Sequence, residues 1–337
     1  MRLCFAPMEG VTGRTFRELH AACFPGIDRY CLPFLSPTQD HLLTPRQRRE
    51  LDPGELGCDR LLPQILTKDA EDFLWAASAM AELGYREVNL NLGCPSGTVV
   101  SKGKGAGMLR DLSALARFLD RVFSESPIAV SVKTRIGLEN PGEWGSILEL
   151  FSRYPIAELT VHPRTRREMY TGDVHFDALR RAAEAASFSL CCNGNLFTPS
   201  DVKAAERAVP GLSGMMFARG LLADPALATR LRGGARRRED LIAFHNGLCR
   251  AYLATMHPDG AVLPKLKELW MYLCLLFPDE GQWKRLRKTK KWADFYPLTQ
   301  SILRQDELLE EADFSRLGQR GLAEILRNHG PVPGQIP

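Results

Sequence analysis

The sequence predicts an α/β fold: a TIM (β/α)₈ barrel followed by a small C-terminal all-helical domain. Eight short β-rich apolar runs recur at intervals of tens of residues. Amphipathic stretches with apolar residues at helical spacing separate most of them. Beyond GGARRRED (233–240) no strand signal remains and only helical stretches follow. Strands that alternate with helices pair in parallel, because each crossover needs a covering helix. Eight such units in about 230 residues match a closed barrel. An open, doubly wound sheet is the alternative architecture; the lack of GxGxxG after the first run weighs against it.

Taken in order, LCFAPM (3–8) runs into Pro7-Met8-Glu9, and IDRYCLPF (27–34) is the second strand. LLPQIL (61–66) contains Gln64, and EVNLNLG (87–93) carries Asn91 and leads to Cys94. IAVSVKTR (128–135) ends in Lys133 and Arg135, and AELTVHPR (157–164) in His162 and Arg164. SLCCNGN (189–195) ends in Asn193-Gly194-Asn195, and GMMFARG (214–220) in Ala218-Arg219-Gly220. AEDFLWAASAMAELG and LSALARFLDRVF are covering helices between strands. LIAFHNGLCRAYLATM and KLKELWMYLCLLF belong to the helical part. The expected division is 1–235 for the barrel and 236–337 for the helical domain, with the tail GPVPGQIP frayed.

Composition sets bounds. No apolar run approaches the roughly 20 residues of a membrane helix, so no membrane association is expected. Nine cysteines occur without a CxxC pair or a zinc-like Cys/His spacing, so no metal is expected and the thiols are read as reduced. A cytoplasmic location and a monomer are the corresponding expectations. A net charge of +4 is too weak by itself to imply nucleic acid.

Chemistry in such a barrel gathers at the C-terminal strand ends, and here several apolar strands end in hydrogen-bonding groups. Lys133 is the sharpest: an interior lysine loses hydration unless an anion or polar ligand meets it. Its stem in the core with the head in solvent is the plain alternative. His162 alone reads equally as a core histidine; Arg164-Thr165-Arg166 behind it reads as a surface-facing rim or a solvated face. NGN (193–195) with ARG (218–220) is like the phosphate cradle formed after strands seven and eight, or simply tight turns. SKGKGAGMLRD (101–111) is either a mobile flap or a flexible connection. KRLRKTKKW (284–292) has the composition of a phosphate-contact patch, with Trp292 available for stacking, or of a solvated helix face.

APMEGVTGRTFR, NLNLGCPSG with KGKGAGMLRD, VSVKTRIG, VHPRTRREMY, NGN and ARG, in this order and spacing, resemble the tRNA-dihydrouridine synthases. These flavoenzymes reduce uridine in tRNA. The resemblance spans residue 3 to about 222, and a trailing helical RNA-binding domain fits it. KLKELWMYL is most similar to the bacterial C-type branch. The resemblance implies FMN, with NADPH or NADH as reductant and tRNA as partner. It places Pro7, Met8 and Glu9 along the flavin and Gln64 on its polar edge. Lys133 and His162 would face the side where negative charge develops. Asn193, Gly194, Asn195, Ala218 and Arg219 would hold the ribityl phosphate. Asn91 would bond the target uracil, and Cys94 would protonate it. Arg135, Arg164, Tyr170, Lys265 and Lys267 would contact tRNA. NGN in place of the usual NGD or NGE, Ala218 in place of glycine, and Pro163 after the histidine depart from the pattern.

Reduction of the uracil C5=C6 bond needs a hydride at C6 and a proton at C5. Side chains supply no hydride, so a redox cofactor is required. A thiol, mostly protonated at neutral pH, suits the proton step. The target base must leave its stack to be reached. Two rivals remain: a flavin oxidoreductase of a free small molecule, similar to dihydroorotate dehydrogenase, and a non-catalytic RNA-binding protein on the same fold.

Overall fold

The computed structural model describes residues 1–185 and 188–317. Among the described residues nine strand segments are all parallel: β1 (Arg2–Phe5), β2 (Arg29–Cys31), β3 (Leu61–Leu62), β4 (Gln64–Ile65), β5 (Glu87–Leu92), β6 (Ala129–Arg135), β7 (Glu158–His162), β8 (Ser189–Asn193) and β9 (Gly214–Phe217). Their order is β3-β2-β1-β9-β8-β7-β6-β5-β4. β3 and β4 are two halves of one strand, interrupted at Pro63, which has no N–H for the ladder. One half pairs with β2 and the other with β5, so the eight expected strands close into a barrel. The second expected strand is shorter than its apolar run, yet Leu32 and Leu35 still donate to Leu62 (2.9 Å) and Gln64 (2.7 Å). Most strand residues are buried on both faces, which is why the strands read as continuous apolar runs.

Covering segments are α1 (Arg14–Cys23), α2 (Pro45–Leu51), α3 (Ala70–Glu82), α4 (Gly97–Val100), α5 (Leu112–Glu125), α6 (Trp144–Phe151), α7 (Phe176–Ala185), α8 (Pro199–Ala208), α9 (Arg219–Ala223) and α10 (Leu227–Leu231). Their starts are encoded locally. Asp69 caps α3 by accepting from Glu71 and Asp72 amides, and Asp111 caps α5 through Ala114 (2.9 Å). Thr198 and Asp201 form a reciprocal capping box on α8, with Pro199 in its first turn. α5 buries Leu115, Phe118, Leu119 and Val122, one stripe at helical period against the barrel.

After β9 the chain is helical, as expected: α11 (Arg238–Leu253), α12 (Leu263–Leu273), α13 (Gly281–Lys288) and α14 (Trp292–Gln305). These helices share one hydrophobic core with the barrel. Phe244 of α11 meets Phe16 (5.2 Å, edge-to-face) and Phe24 (5.4 Å) beside α1. Gly247 lets the two helices close up, because a Cβ there would come within 2.9 Å of Leu19. Below the pocket the barrel interior is filled by Cys4, Cys31, Leu62, Cys191 and Met216. Donor atoms of Cys4, Glu158 and Cys191 lie within 4.8 Å of one another there, and Glu158 is paired with Arg2 at 3.0 Å. The tail at 330–337 lies outside the described residues.

Candidate active site

The C-terminal strand ends enclose about 1140 Å³ of empty space, part of it open to solvent. Pro7, Met8, Glu9, Gln64, Asn91, Cys94, Lys133, Arg135, His162, Tyr170, Asn193, Gly194, Asn195, Ala218 and Arg219 all line it. Arg164, Lys265 and Lys267 do not.

One wall is an amide relay. Gln64 Nε2 donates to Asn89 (2.8 Å), and its Oε1 accepts from Asn91 Nδ2 (2.7 Å). Asn91 Oδ1 in turn accepts from the Gly93 (3.1 Å) and Cys94 (2.9 Å) amides. Asn91 therefore shapes the turn that presents Cys94, and it keeps one amide hydrogen for a ligand. Burial pushes the Cys94 thiol above its ordinary value, outweighing the Ser96 amide, Arg135 and Lys133, which pull it down. At neutral pH Cys94 is a protonated thiol.

The 101–111 stretch is neither flap nor loose connection. Gly105–Leu109 is buried, and Ala106 donates to the Cys94 carbonyl (3.1 Å). Gly105 has φ +57°, and a Cβ on it would stand 3.0 Å from Cys94 Cβ and its carbonyl. Gly105 serves close packing beneath the thiol, and Gly107 packs against Val100, whose carbonyl a Cβ would meet at 2.8 Å.

The opposite wall is cationic. Lys133 is fixed in β6 with its Nζ bonded to no group among the described residues. Burial, then nearby Arg135, lowers it from 10.5 to about 8. Arg219 is 9% exposed, and its guanidinium also meets no acceptor among the described residues; it lies 5.1 Å from the Tyr170 ring and 4.9 Å from Phe197. The His162 imidazole is held well below its usual range by burial, then by Arg135, Lys133, Arg164 and Arg219, so it is neutral. Arg164 Nη1 sits 3.3 Å from His162 Nε2; because arginine only donates, the ring hydrogen belongs on Nδ1.

Asn193 Nδ2 donates to Met216 (2.7 Å), joining β8 to β9. Gly194 has φ +116°, and a Cβ there would meet His162 Cδ2 at 2.9 Å. Asn195 has φ 48°, a region asparagine tolerates, and its Oδ1 accepts from Arg164 (3.1 Å). The departure from NGD or NGE thus keeps an acceptor for this arginine. The backbone amides of Gly194, Asn195 and Ala218 donate to nothing among the described residues. Gly194→Ala is expected to cost about 1–3 kcal/mol of stability through backbone strain and displacement of His162, read as a lower urea midpoint.

Four residues expected at tRNA make bonds within the protein. Arg164, expected on a surface-facing rim or a solvated face, is 1% exposed, as is Arg135. Arg135 donates to the carbonyls of Gly93 (3.0 Å), Thr165 (2.8 Å) and Met169 (2.9 Å), pinning two loops beside the pocket. Arg164 bridges Gly172 (2.6 Å), His162 and Asn195. Lys265 donates to the Gly10 carbonyl and lies over Tyr252 (5.1 Å), tying α12 to the loop after β1. Lys267 bonds the Arg287 carbonyl (3.0 Å) and that of Thr289, closing the end of α13. Trp292, expected to be available for a base, already stacks on Tyr296 (5.2 Å). Phe34, Ser96 and Phe197 line the pocket without having been singled out. For Phe197 a signal existed: it follows NGNL directly.

The comparisons agree on family. The pattern of the family described as Dihydrouridine synthase (Dus) matches residues 4–292. A protein of Ralstonia nicotianae named tRNA-dihydrouridine(16) synthase is 31% identical over 290 residues, covering 80% of this chain and 88% of its own. One of Pseudomonas putida named tRNA-dihydrouridine synthase B is 28% identical over 244 residues, covering 72% and 71%. Among solved structures, morphinone reductase superposes with a TM-score of 0.50 at 14% identity, covering 72% of this chain and 88% of that one, which supports the barrel fold. This chain belongs to the dihydrouridine synthase family.

Proposed function

We propose that this chain is an oxidoreductase that reduces the C5=C6 bond of a uridine in tRNA, with FMN as resident cofactor and NADPH or NADH as reductant. One observation carries the reading: a neutral thiol, Cys94, and two cations with no anionic partner among the described residues, Lys133 and Arg219, line one pocket. The residues fit a flavin mononucleotide. The amides of Gly194, Asn195 and Ala218, with Arg219, suit a phosphate monoester. Lys133 and neutral, Nδ1-protonated His162 suit a ring edge that gains negative charge. Pro7, Met8, Glu9 and Gln64 complete the wall. When bound, the flavin supplies the hydride that no side chain provides.

The chain's own part is binding, orientation and a proton. Asn91 has one amide hydrogen for a uracil carbonyl and orients the Cys94 turn. Cys94 gives its S–H proton to C5 as C6 takes up hydride, and the thiolate regains a proton from solvent. Tyr170, beside Arg135 and Arg219, closes the pocket on the substrate side.

Docking of tRNA is assigned to the helical part from residue 236. Lys284, Lys288, Lys290 and Lys291 are exposed on and after α13, with no ion-pair partner among the described residues. Arg285 is paired with Asp279 at 2.5 Å. The relatives aligned over 290 residues carry position 16 in their names, and we assign the same tRNA position to this chain. The barrel site alone also suits a free small molecule; the exposed lysines favour RNA.

Purified protein with flavin and NADPH is expected to form dihydrouridine in tRNA and to leave free uridine and dihydroorotate untouched. Four phosphate contacts would weaken tRNA binding about 50-fold between 50 and 200 mM salt. Turnover of a free pyrimidine, or tRNA affinity indifferent to salt, defeats the proposal.

A further inference from the structure

We infer that Phe314, in the segment that returns to the barrel after α14, is a positioning residue for Arg219; the inference rests on the flavin reading above. Phe314 stacks face to face on Phe197, with centroids 3.9 Å apart and planes 9° from parallel. Arg219 also lies over the Phe197 ring, at 4.9 Å, so it occupies the opposite face. It also lies over the Tyr170 ring, at 5.1 Å. The layers run Phe314, Phe197, Arg219, Tyr170, from the C-terminal segment into the pocket.

The layers on either side of Phe197 are anchored independently of it. Asp313 donates to Leu275 (2.9 Å) and Arg316 to Phe277 (2.6 Å), which ties the segment to the end of α12. Ser200 donates to Glu311 (3.1 Å), tying it to α8. Arg219 follows β9, and Gly220 after it has no room for a Cβ, which would come 2.4 Å from the Leu196 carbonyl. The Phe197 amide is held by Asp201 (2.9 Å), and its ring stacks on Phe314 and carries Arg219. An arginine clamped between two rings keeps its fork of donors in one orientation, and that orientation is what a phosphate reads. Removing Phe314 frees the Phe197 ring and lets the guanidinium turn.

The test uses the full-length apoprotein titrated with FMN and with riboflavin, which lacks the phosphate, followed by flavin fluorescence. Wild type is expected to prefer FMN. Phe314→Ala is expected to lose about threefold to thirtyfold of FMN affinity with riboflavin affinity unchanged. Phe314→Tyr should restore the preference, and Phe314→Leu, which fills space without a ring, should not. Thermal melts identify any variant that fails to fold, and Phe314→Leu then decides in place of Phe314→Ala. Equal losses for both flavins, an undiminished FMN preference, or rescue by leucine overturns the inference. Wild type that binds FMN and riboflavin equally removes the phosphate reading, and this inference with it.

Discussion

Cys94→Ala protein is expected to keep its flavin and its tRNA affinity while uridine reduction slows about 10²–10⁴-fold, the usual contribution of a positioned general acid. The expectation follows from the turn at Asn91, whose carbonyl fixes the Gly93 and Cys94 amides and aims the thiol into the pocket. It also follows from the sign of the thiol's shift. Burial raises Cys94 above 9.0, so the proton-bearing form persists throughout the neutral range. Wild-type rate, measured in single turnover with pre-reduced enzyme, should stay level there and fall only as pH passes above 9.0. The residual rate of Cys94→Ala should show no such fall. Turnover undiminished by the substitution would remove the thiol from the reaction.

Lys133→Met is expected to weaken flavin binding about 10- to 100-fold, the loss of a charge-assisted hydrogen bond to the ligand. The same change should make the apoprotein more stable. Half-buried in the pocket and with no anionic partner among the described residues, the ammonium is lowered from 10.5 to about 8, chiefly by desolvation, which corresponds to about 3 kcal/mol taken from folded-state stability at neutral pH. Between those two values the unfolded chain binds more protons than the folded one. Wild-type stability therefore rises with pH across that window, and the gap to the methionine variant closes above it. Urea melts at pH 7 and pH 10 read the difference. A methionine variant less stable than wild type at pH 7, or one with full flavin affinity, contradicts this placement of Lys133.

The strand ends were legible because each is an apolar run that stops in a polar side chain, and a buried polar group requires a reason. Lys133, Asn91, Cys94 and the NGN turn stood out in that way. The break at Pro63 falls inside LLPQIL, a run read as one strand, and follows from the missing N–H of that residue. What did not show was direction. Arg135 and Arg164 end strands much as a rim arginine would; only the loops at 93 and 165–172, folding over them, turn their donors inward. Lys265 meets its carbonyl 255 residues away in sequence, a pairing that no local pattern encodes. The glycines of 101–111 looked like freedom because a glycine needed for close packing and a glycine in a loose loop have the same letter. Their role emerged only with Cys94 and Val100 against them. The pairing of Phe197 with Phe314 carries no spacing signal, since it joins two loops that the barrel and the helical part bring together.

The central claim is reduction of one tRNA uridine through a flavin site and the Cys94 thiol. A positional map of dihydrouridine in tRNA from cells lacking this protein, then supplied with wild type or with Cys94→Ala, tests it most directly. The account predicts loss of the modification at position 16, recovery with wild type and none with Cys94→Ala. An unchanged map in its absence, or full recovery with the alanine variant, would contradict it.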